Sequence, residues 1–272
     1  MTGVCLRLAS EPGFDVDVSV ILPETVAGKS IDMIKRMPLM QGNRRKTAGD
    51  LFEIDGECDN ALEFHGATEK LRRIGSGMTK GVVRVIGNAG NELGVGMTGG
   101  EIHVSANAGD YVGSGMRGGK IEVRGNTGDF TAGALPSTAL GMRDGVICVG
   151  KNVGMRAGER MRRGLLVVSG DAGPYCGSNV IAGTIVVTGQ TAAGIGSGMR
   201  RGTILLLNEP NQLPTTFNEC GTYSLAILTL LLRHVRTINR KAYARLRMIS
   251  EVRRLTGDIG CDGQGEILIA FK

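Results

Sequence analysis

The 272-residue chain contains no tryptophan, and aromatic residues make up only 4% of it. A core without large rings has to be filled by aliphatic side chains in some regular order. Metal and catalytic signatures are missing too. His65, His103 and His234 are scattered, with no HxH or HExxH spacing, so no zinc-type ligand set is legible. There is no GxSxG, and glycine-rich stretches such as Gly75-Ser76-Gly77 lack the Lys-Ser/Thr ending of a phosphate loop. The six cysteines (Cys5, Cys58, Cys148, Cys176, Cys220, Cys261) form no CxxC pair. With no signal peptide legible, they are expected to be reduced thiols in a cytoplasmic protein. The longest apolar run, residues 225–232, stops at Arg233 and is too short to cross a membrane. No catalytic residue, no metal and no tightly held cofactor is therefore expected in this chain.

What the chain does have is glycine, 44 residues of it, 32 of them between Gly75 and Gly202. Gly81, Gly100, Gly119, Gly145, Gly164, Gly183 and Gly202 each precede a short aliphatic unit. Five of the six intervals are 19 residues; the sixth, Gly119 to Gly145, is 26, or 19 plus a seven-residue insertion at 134–140. Two places after each marker stand Val83, Ile102, Ile121, Ile147, Leu166, Ile185 and Ile204, and two places further Val85, Val104, Val123, Val149, Val168, Val187 and Leu206. Such period-2 alternation of branched residues predicts a strand with both columns facing inward. Three places before the marker, Met78, Met97, Met116, Met142, Met161, Val180 and Met199 form a second apolar column on another wall. A repeat of this length is one coil of a solenoid. The expectation is an all-β core, a right-handed parallel β-helix of about seven 19-residue coils, rising roughly 4.8 Å per coil. A hexapeptide left-handed helix needs a period divisible by six, and calcium-binding nonapeptides need a recurrent Asp; neither fits. Seven places after the marker, Asn88, Asn107, Asn126, Asn152, Asp171 and Gln190 read either as an amide ladder between coils or as residues tolerated in a left-handed turn.

The flanks complete the layout. Residues 1–50 read as a small α/β cap, with a strand at 4–8 and a Ser30-capped helix at 31–34; 51–207 read as the helix proper, with degenerate first coils at 52–56 and 62–66. In 208–272, a leucine-rich helix over 223–235, a strongly basic helix over 240–255 and a final strand are expected to pack on the solenoid. The residue between the two inward columns should face outward. It is Arg84, His103 and Glu122 early on, then Cys148, Val167, Val186 and Leu205. Four apolar residues in register need a cover, either the 225–232 helix or another subunit.

Charge is the remaining signal. The net charge is +6. Arg117, Arg143, Arg162 and Arg200 share one column at a corner of the coil, with Lys80, Arg163 and Arg201 beside them and Asp144 as an offset. Like charges stacked at that spacing repel by about 1 kcal/mol per pair even in bulk water. The edge therefore either serves an anionic ligand or acidic partner or is a solvated corner with its side chains splayed. Between Arg233 and Arg254 eight Lys/Arg, Arg240 and Lys241 among them, face a single acid, Glu251. Apart from Tyr243, no aromatic residue interleaves with these cations, which argues against a nucleic-acid platform. Leu135, Pro136 and Leu140 of the insertion read either as a partner contact or as an ordinary surface loop.

The glycine-marked coils resemble the GXGXG domain, shared by glutamate synthase and the C subunit of formylmethanofuran dehydrogenase. The entry stretch Gly49-Asp50-Leu51-Phe52-Glu53-Ile54-Asp55-Gly56 and the ending Gly263-Gln264-Gly265-Glu266-Ile267-Leu268 are similar to that C subunit, and the catalytic domains that a glutamate synthase would carry upstream are not expected here. Phe217-Asn218-Glu219-Cys220-Gly221-Thr222-Tyr223 is more similar to the bacterial form, found in the formyltransferase/hydrolase complex of methylotrophs. The resemblance implies a non-catalytic scaffold in a complex that moves a formyl group from tetrahydromethanopterin to methanofuran and releases formate. Its implied partners are a zinc-bearing amidohydrolase-like subunit, a molybdopterin-subunit-like protein and a formyltransferase. The methanofuran-type cofactor of that complex carries an anionic glutamyl tail. The alternatives are the archaeal tungsten or molybdenum dehydrogenase and a GXGXG protein related to glutamate synthase.

Overall fold

The computed structural model describes residues 3–57 and 60–271. Along the chain lie β1 (Val4–Leu8), β2 (Val16–Asp17), α1 (Pro23–Val26), α2 (Ile31–Lys35), β3 (Pro38–Gln41), β4 (Arg44–Thr47), α3 (Ala48–Leu51), β5 (Phe52–Gly56), β6 (Ala61–Ala67) and β7 (Leu71–Arg72). The repeat region contributes β8 (Val82–Gly87), β9 (Glu101–Val104), β10 (Arg117–Val123), β11 (Asp144–Val149), β12 (Leu165–Val168), β13 (Thr184–Val187) and β14 (Thr203–Leu206). After it come β15 (Asn218–Tyr223), α4 (Ala226–Ile238), α5 (Arg240–Leu246), β16 (Val252–Gly257) and β17 (Gly265–Ala270).

The molecule is mostly β. Thirteen strands form one sheet in the order β15-β16-β17-β14-β13-β12-β11-β10-β9-β8-β6-β1-β5, and β4-β3-β2-β7 form a second. From β1 to β17 every neighbouring pair in the large sheet is parallel; only its ends are closed by antiparallel strands, β5 on one side and β16 with β15 on the other. The register is the one the repeat dictates: Ile102 pairs with Val83 and Ile121, Ile147 with Leu166, and Ile185 with Ile204. It extends past the repeat at both ends, to Leu62 and Val4 in one direction and to Ile267 in the other. The whole column is at most 1% exposed.

The rest of each repeat is also matched to its copies. Single parallel bridges run Ala89–Ala108–Thr127–Val153–Ala172–Thr191. On a further segment Gly113 N donates to Leu93 O (2.8 Å), Gly158 N to Thr131 O (2.7 Å) and Gly177 N to Ala157 O (2.8 Å). The methionine column is wholly buried, as expected, and it explains the marker glycines. Gly119 has φ +88°, and a Cβ there would stand 2.6 Å from Met97 Cε and 2.7 Å from Gly100 O. Only glycine accepts both the left-handed backbone and the methyl below it.

The asparagine column is a ladder; one amide–amide bond of the expected kind is present, Asn126 Nδ2 donating to Asn107 Oδ1 (3.2 Å), but the bond that recurs is a different one. Each side-chain oxygen accepts from the backbone N–H of the next rung: Asn88 Oδ1 from Asn107 N (3.0 Å), Asn107 from Asn126 (2.9 Å), Asn126 from Asn152 (3.1 Å), Asn152 from Asp171 (2.9 Å) and Asp171 from Gln190 (2.7 Å). Because only an acceptor is needed, Asp171 serves as well as an amide. A second ladder of the same type, Asn91 to Asp110 to Asp129 to Met155 N, runs beside it.

Outside the sheet, the apolar stripe is covered by the chain itself. Cys148, Val167, Val186, Leu205 and Leu268 pack against Leu228, Leu232 and Val235 of α4 and against Ala242, Leu246 and Val252. Full burial of each Val or Leu contributes about 1.5–3 kcal/mol. The basic helix expected over 240–255 ends at Leu246. Val252–Gly257 instead forms β16, and the helix expected over 223–235 begins at Ala226, after a strand, β15, that ends at Tyr223. Phe217, 8% exposed, packs at the C-terminal end of the interior, where its ring lies by Gly196. Cys5, Cys148, Cys176, Cys220 and Cys261 are free thiols, while Cys58 lies outside the described residues.

Candidate anion-binding edge

The expected arginines stand at the corners where β10, β11, β12 and β14 begin. Arg117 N donates to Met97 O (2.7 Å), Arg143 N to Met116 O (2.7 Å) and Arg162 N to Met142 O (2.8 Å). These three arginines therefore stand on consecutive rungs, held by the same backbone bond. Ile181 takes the next rung and interrupts the row, and Arg200 resumes it, bonded to Val180 O (2.8 Å). Arg117, Arg162, Arg163, Arg200, Arg201 and Lys80 are exposed and Arg143 is half-buried. Seven other arginines, Arg7, Arg72, Arg73, Arg84, Arg156, Arg253 and Arg254, each meet a carboxylate. Among the described residues none of the seven edge cations does. Asp144 Oδ1 instead accepts from Gly145 N (2.7 Å). An unneutralised row of guanidinium groups can hold carboxylates or phosphates by charge-assisted bonds.

The other expected contacts are placed differently. Val167, Val186 and Leu205 are fully buried under α4 and α5, so they offer no surface to a partner while those helices stay docked. Leu135 and Leu140 are half-buried and Pro136 is exposed, in a loop closed on itself by Thr138 Oγ1 donating to Leu135 O (3.1 Å) and Leu140 O (3.2 Å). Arg240 and Lys241 are exposed at the α4–α5 junction, by the opposite ends of the strands from the arginine edge.

Two features had no counterpart in the sequence pattern. Arg124 joins Arg240 and Lys241 around one cleft. On another corner, Tyr111 and Phe130 stack (centroids 5.0 Å apart, 9° between planes), and the Arg156 guanidinium lies 5.9 Å from the Phe130 ring and 5.8 Å from that of Tyr175. Tyr111, Phe130, Arg156 and Tyr175 are all left-handed residues at φ +54° to +59°. A periodic φ > 0 in non-glycine residues leaves no compositional mark.

Thiol chemistry is suppressed inside. Burial pushes the Cys148 and Cys176 thiols up to about 12. Among the described residues no cluster of three or more His, Cys, Asp or Glu is arranged to hold a metal, and no helix is long and apolar enough to cross a membrane.

Parallel rungs marked by glycine, stacked in one register, define a GXGXG-type protein. The family model described as GXGXG motif matches residues 72–230. The chain belongs to that family, and the relatives it matches are formylmethanofuran dehydrogenase and formyltransferase/hydrolase C subunits. It is 37% identical over 93 residues to the C subunit of the tungsten-containing formylmethanofuran dehydrogenase 2 of Methanothermobacter wolfeii, over 32% of this chain and 34% of that protein. It is 35% identical over 88 residues to the C subunit of the formyltransferase/hydrolase complex Fhc of Methylorubrum extorquens, over 32% of this chain and 33% of that protein. The chain thus spans about a third of the length of these curated relatives. Among solved structures, a chain of the formyltransferase/hydrolase complex FhcABCD from Methylorubrum extorquens, in complex with methylofuran, superposes with a TM-score of 0.91 and 32% identity. That match covers 98% of this chain and 100% of the other.

Proposed function

We propose that the chain is a non-catalytic scaffold subunit of a complex that transfers a formyl group from formyl-tetrahydromethanopterin to methanofuran and hydrolyses formylmethanofuran to formate, in the cytoplasm of a methylotroph. Its form is a right-handed parallel β-helix of about seven 19-residue coils over residues 51–207, with 1–50 as cap and 208–272 packed on the outside. A zinc-bearing amidohydrolase-like subunit, a molybdopterin-subunit-like protein and a formyltransferase are its partners, and the rod holds their active sites at a fixed separation. The arginine edge guides the anionic tail of the methanofuran-type cofactor between them. Arg117, Arg143 and Arg162, on three consecutive rungs with no carboxylate partner among the described residues, carry this reading. Support comes from the likeness to a chain of the methylofuran-bound complex over nearly the whole length.

The test is the assembled complex with Arg117, Arg143, Arg162 and Arg200 each changed to Gln. The Michaelis constant for the glutamylated cofactor should rise and its dependence on ionic strength should flatten, since screening acts on charges that are no longer there. Unchanged kinetics in an intact complex would refute guidance by this edge. Loss of a subunit on a sizing column would instead assign the edge to docking. The second reading, an archaeal tungsten or molybdenum dehydrogenase, is favoured by the identity to the Methanothermobacter wolfeii protein. Metal analysis of the purified complex separates the two.

A further inference from the structure

At the far ends of the strands, where α4 hands over to α5, the helices stop covering the sheet and leave an overhang. Glu122, Val123, Arg124, Cys148, Gly150 and Ser169 form its floor, and Ile238, Asn239, Arg240 and Lys241 its roof, around a cleft of about 430 Å³. Small-molecule sites commonly measure some 300–1,000 Å³. We propose that this cleft binds a small polyacid, an anion of metabolite size carrying two or three carboxylates or phosphates.

The argument is one of charge and rigidity. Arg124, Arg240 and Lys241 bring three positive charges to the cleft, and none of them meets a carboxylate among the described residues. The one acid at the rim, Glu122, is already engaged by Lys120 Nζ (3.4 Å) and His103 Nδ1 (3.5 Å). Two or three negative charges are therefore needed to balance the site. Asn239 Nδ2 fastens the roof to the floor by donating to Ser169 Oγ (3.2 Å), while its Oδ1 caps α5 by accepting from Ala242 N (2.9 Å). Arg245 Nη1, from α5, donates to Ser169 O (2.5 Å) and Thr188 Oγ1 (3.2 Å). A fixed cleft spares the ligand part of the ordering cost that a flexible cationic surface would impose. Guanidinium forks suit carboxylate and phosphate oxygens alike. No aromatic ring lines the cleft, so nothing there selects a nucleobase. This site is separate from the arginine edge and stands whether or not that edge guides a cofactor tail.

The full chain is titrated calorimetrically with citrate, with pyrophosphate and with poly-L-glutamate, at low and at physiological ionic strength. Citrate or pyrophosphate should bind saturably with a stoichiometry of one, and the tighter of the two names the acid group the cleft prefers. Arg124→Gln and Arg240→Gln should each weaken that binding about tenfold or more, while R143Q and R162Q at the edge leave it unchanged. All four side chains are at least partly exposed, so the variants should keep the parent melting temperature in the absence of ligand, and the ligand should raise it only where the cleft is intact. No saturable binding of either small anion, binding by poly-L-glutamate alone, or equal loss from the edge variants would overturn the proposal.

Discussion

Gly113 and Ile147 test how the two sides of the interior fit. Gly113 has φ +65°, and a Cβ added there would lie 2.3 Å from Ile147 Cδ1. The same conflict recurs at Gly94 with Ile121 (2.5 Å), Gly158 with Ile185 (2.5 Å) and Gly177 with Ile204 (2.5 Å). One position in this glycine column is alanine, Ala132, buried and at φ +59°. By the register of its neighbours Ala132 falls to Leu166, the one leucine among the column's positions from β8 to β14, which are otherwise isoleucine and valine. A leucine has no Cδ1 on a β-branched stem, and the alanine methyl takes up the space. Gly113→Ala should therefore cost about 1–2 kcal/mol for the left-handed backbone plus about 1–3 kcal/mol for overpacking. Ile147→Val alone should cost about 0.5–1.5 kcal/mol. In the double variant the overpacking is relieved, so the pair should be less destabilised than the sum by about 1–3 kcal/mol. Urea unfolding of the four proteins, read by circular dichroism, measures this coupling. Additivity to within about 0.5 kcal/mol would show that the glycine does not exist to clear the isoleucine.

Two further predictions concern ionisation. Burial works to raise the Asp258 carboxyl, but backbone N–H groups of Gly198 (2.9 Å) and Gly260 (2.8 Å) bond its oxygens and hold it below the usual carboxylate range. A lowered folded value means the charged form is the stabilising one. Its contribution is present above pH ~4 and disappears as the pH falls through the folded value; Asp258→Ala should flatten acid unfolding in that window and cost about 1–3 kcal/mol at neutral pH. The second concerns thiols. At pH 8 a disulfide reagent should modify Cys261, which is exposed, and leave Cys148 and Cys176 untouched until the chain is unfolded, because their buried thiols stay protonated up to about 12. Rapid labelling of Cys176 in the native protein would contradict its place in the interior.

The parts of this fold that could be read in advance are those that repeat. A column of like residues at 19-residue spacing fixes the register of a strand, its inward face and the corner that carries Arg117, Arg143 and Arg162, because each rung supplies the next with the same neighbours. Where the chain stops repeating, local signals misled. Residues 240–255 are rich in helix formers, yet Val252–Gly257 is a strand, since β15 and β17 flank it and supply backbone partners on both sides. That pairing is not encoded within the segment. Gly265-Glu266-Ile267-Leu268-Ile269 does repeat the marker phrase, and the structure makes it a further parallel rung beside β14; the signal was present but separated from the repeat by two helices. Arg124 carried no signal. Its column reads Ile86, Ser105, Arg124, Gly150, Ser169, and it becomes a cleft only when Asn239, Arg240 and Lys241 arrive from the far end of the chain.

The change in the outer face ties these observations together. Up to β10 the outward column is charged and half-buried, with Glu63, Arg84, His103 and Glu122 paired among themselves and their neighbours. From β11 onward it is Cys148, Val167, Val186, Leu205 and Leu268, all buried under the C-terminal helices. The changeover falls between Glu122 and Cys148, the one interval lengthened by seven residues. A charged outer face needs no cover, and an apolar one cannot stay bare in water, so the helices must end at this rung. The edge where they end is where the cationic cleft opens. The cleft is thus a consequence of the switch in outward residues rather than of the repeat itself, which is why it opens at that rung, while the arginine corner recurs on four rungs.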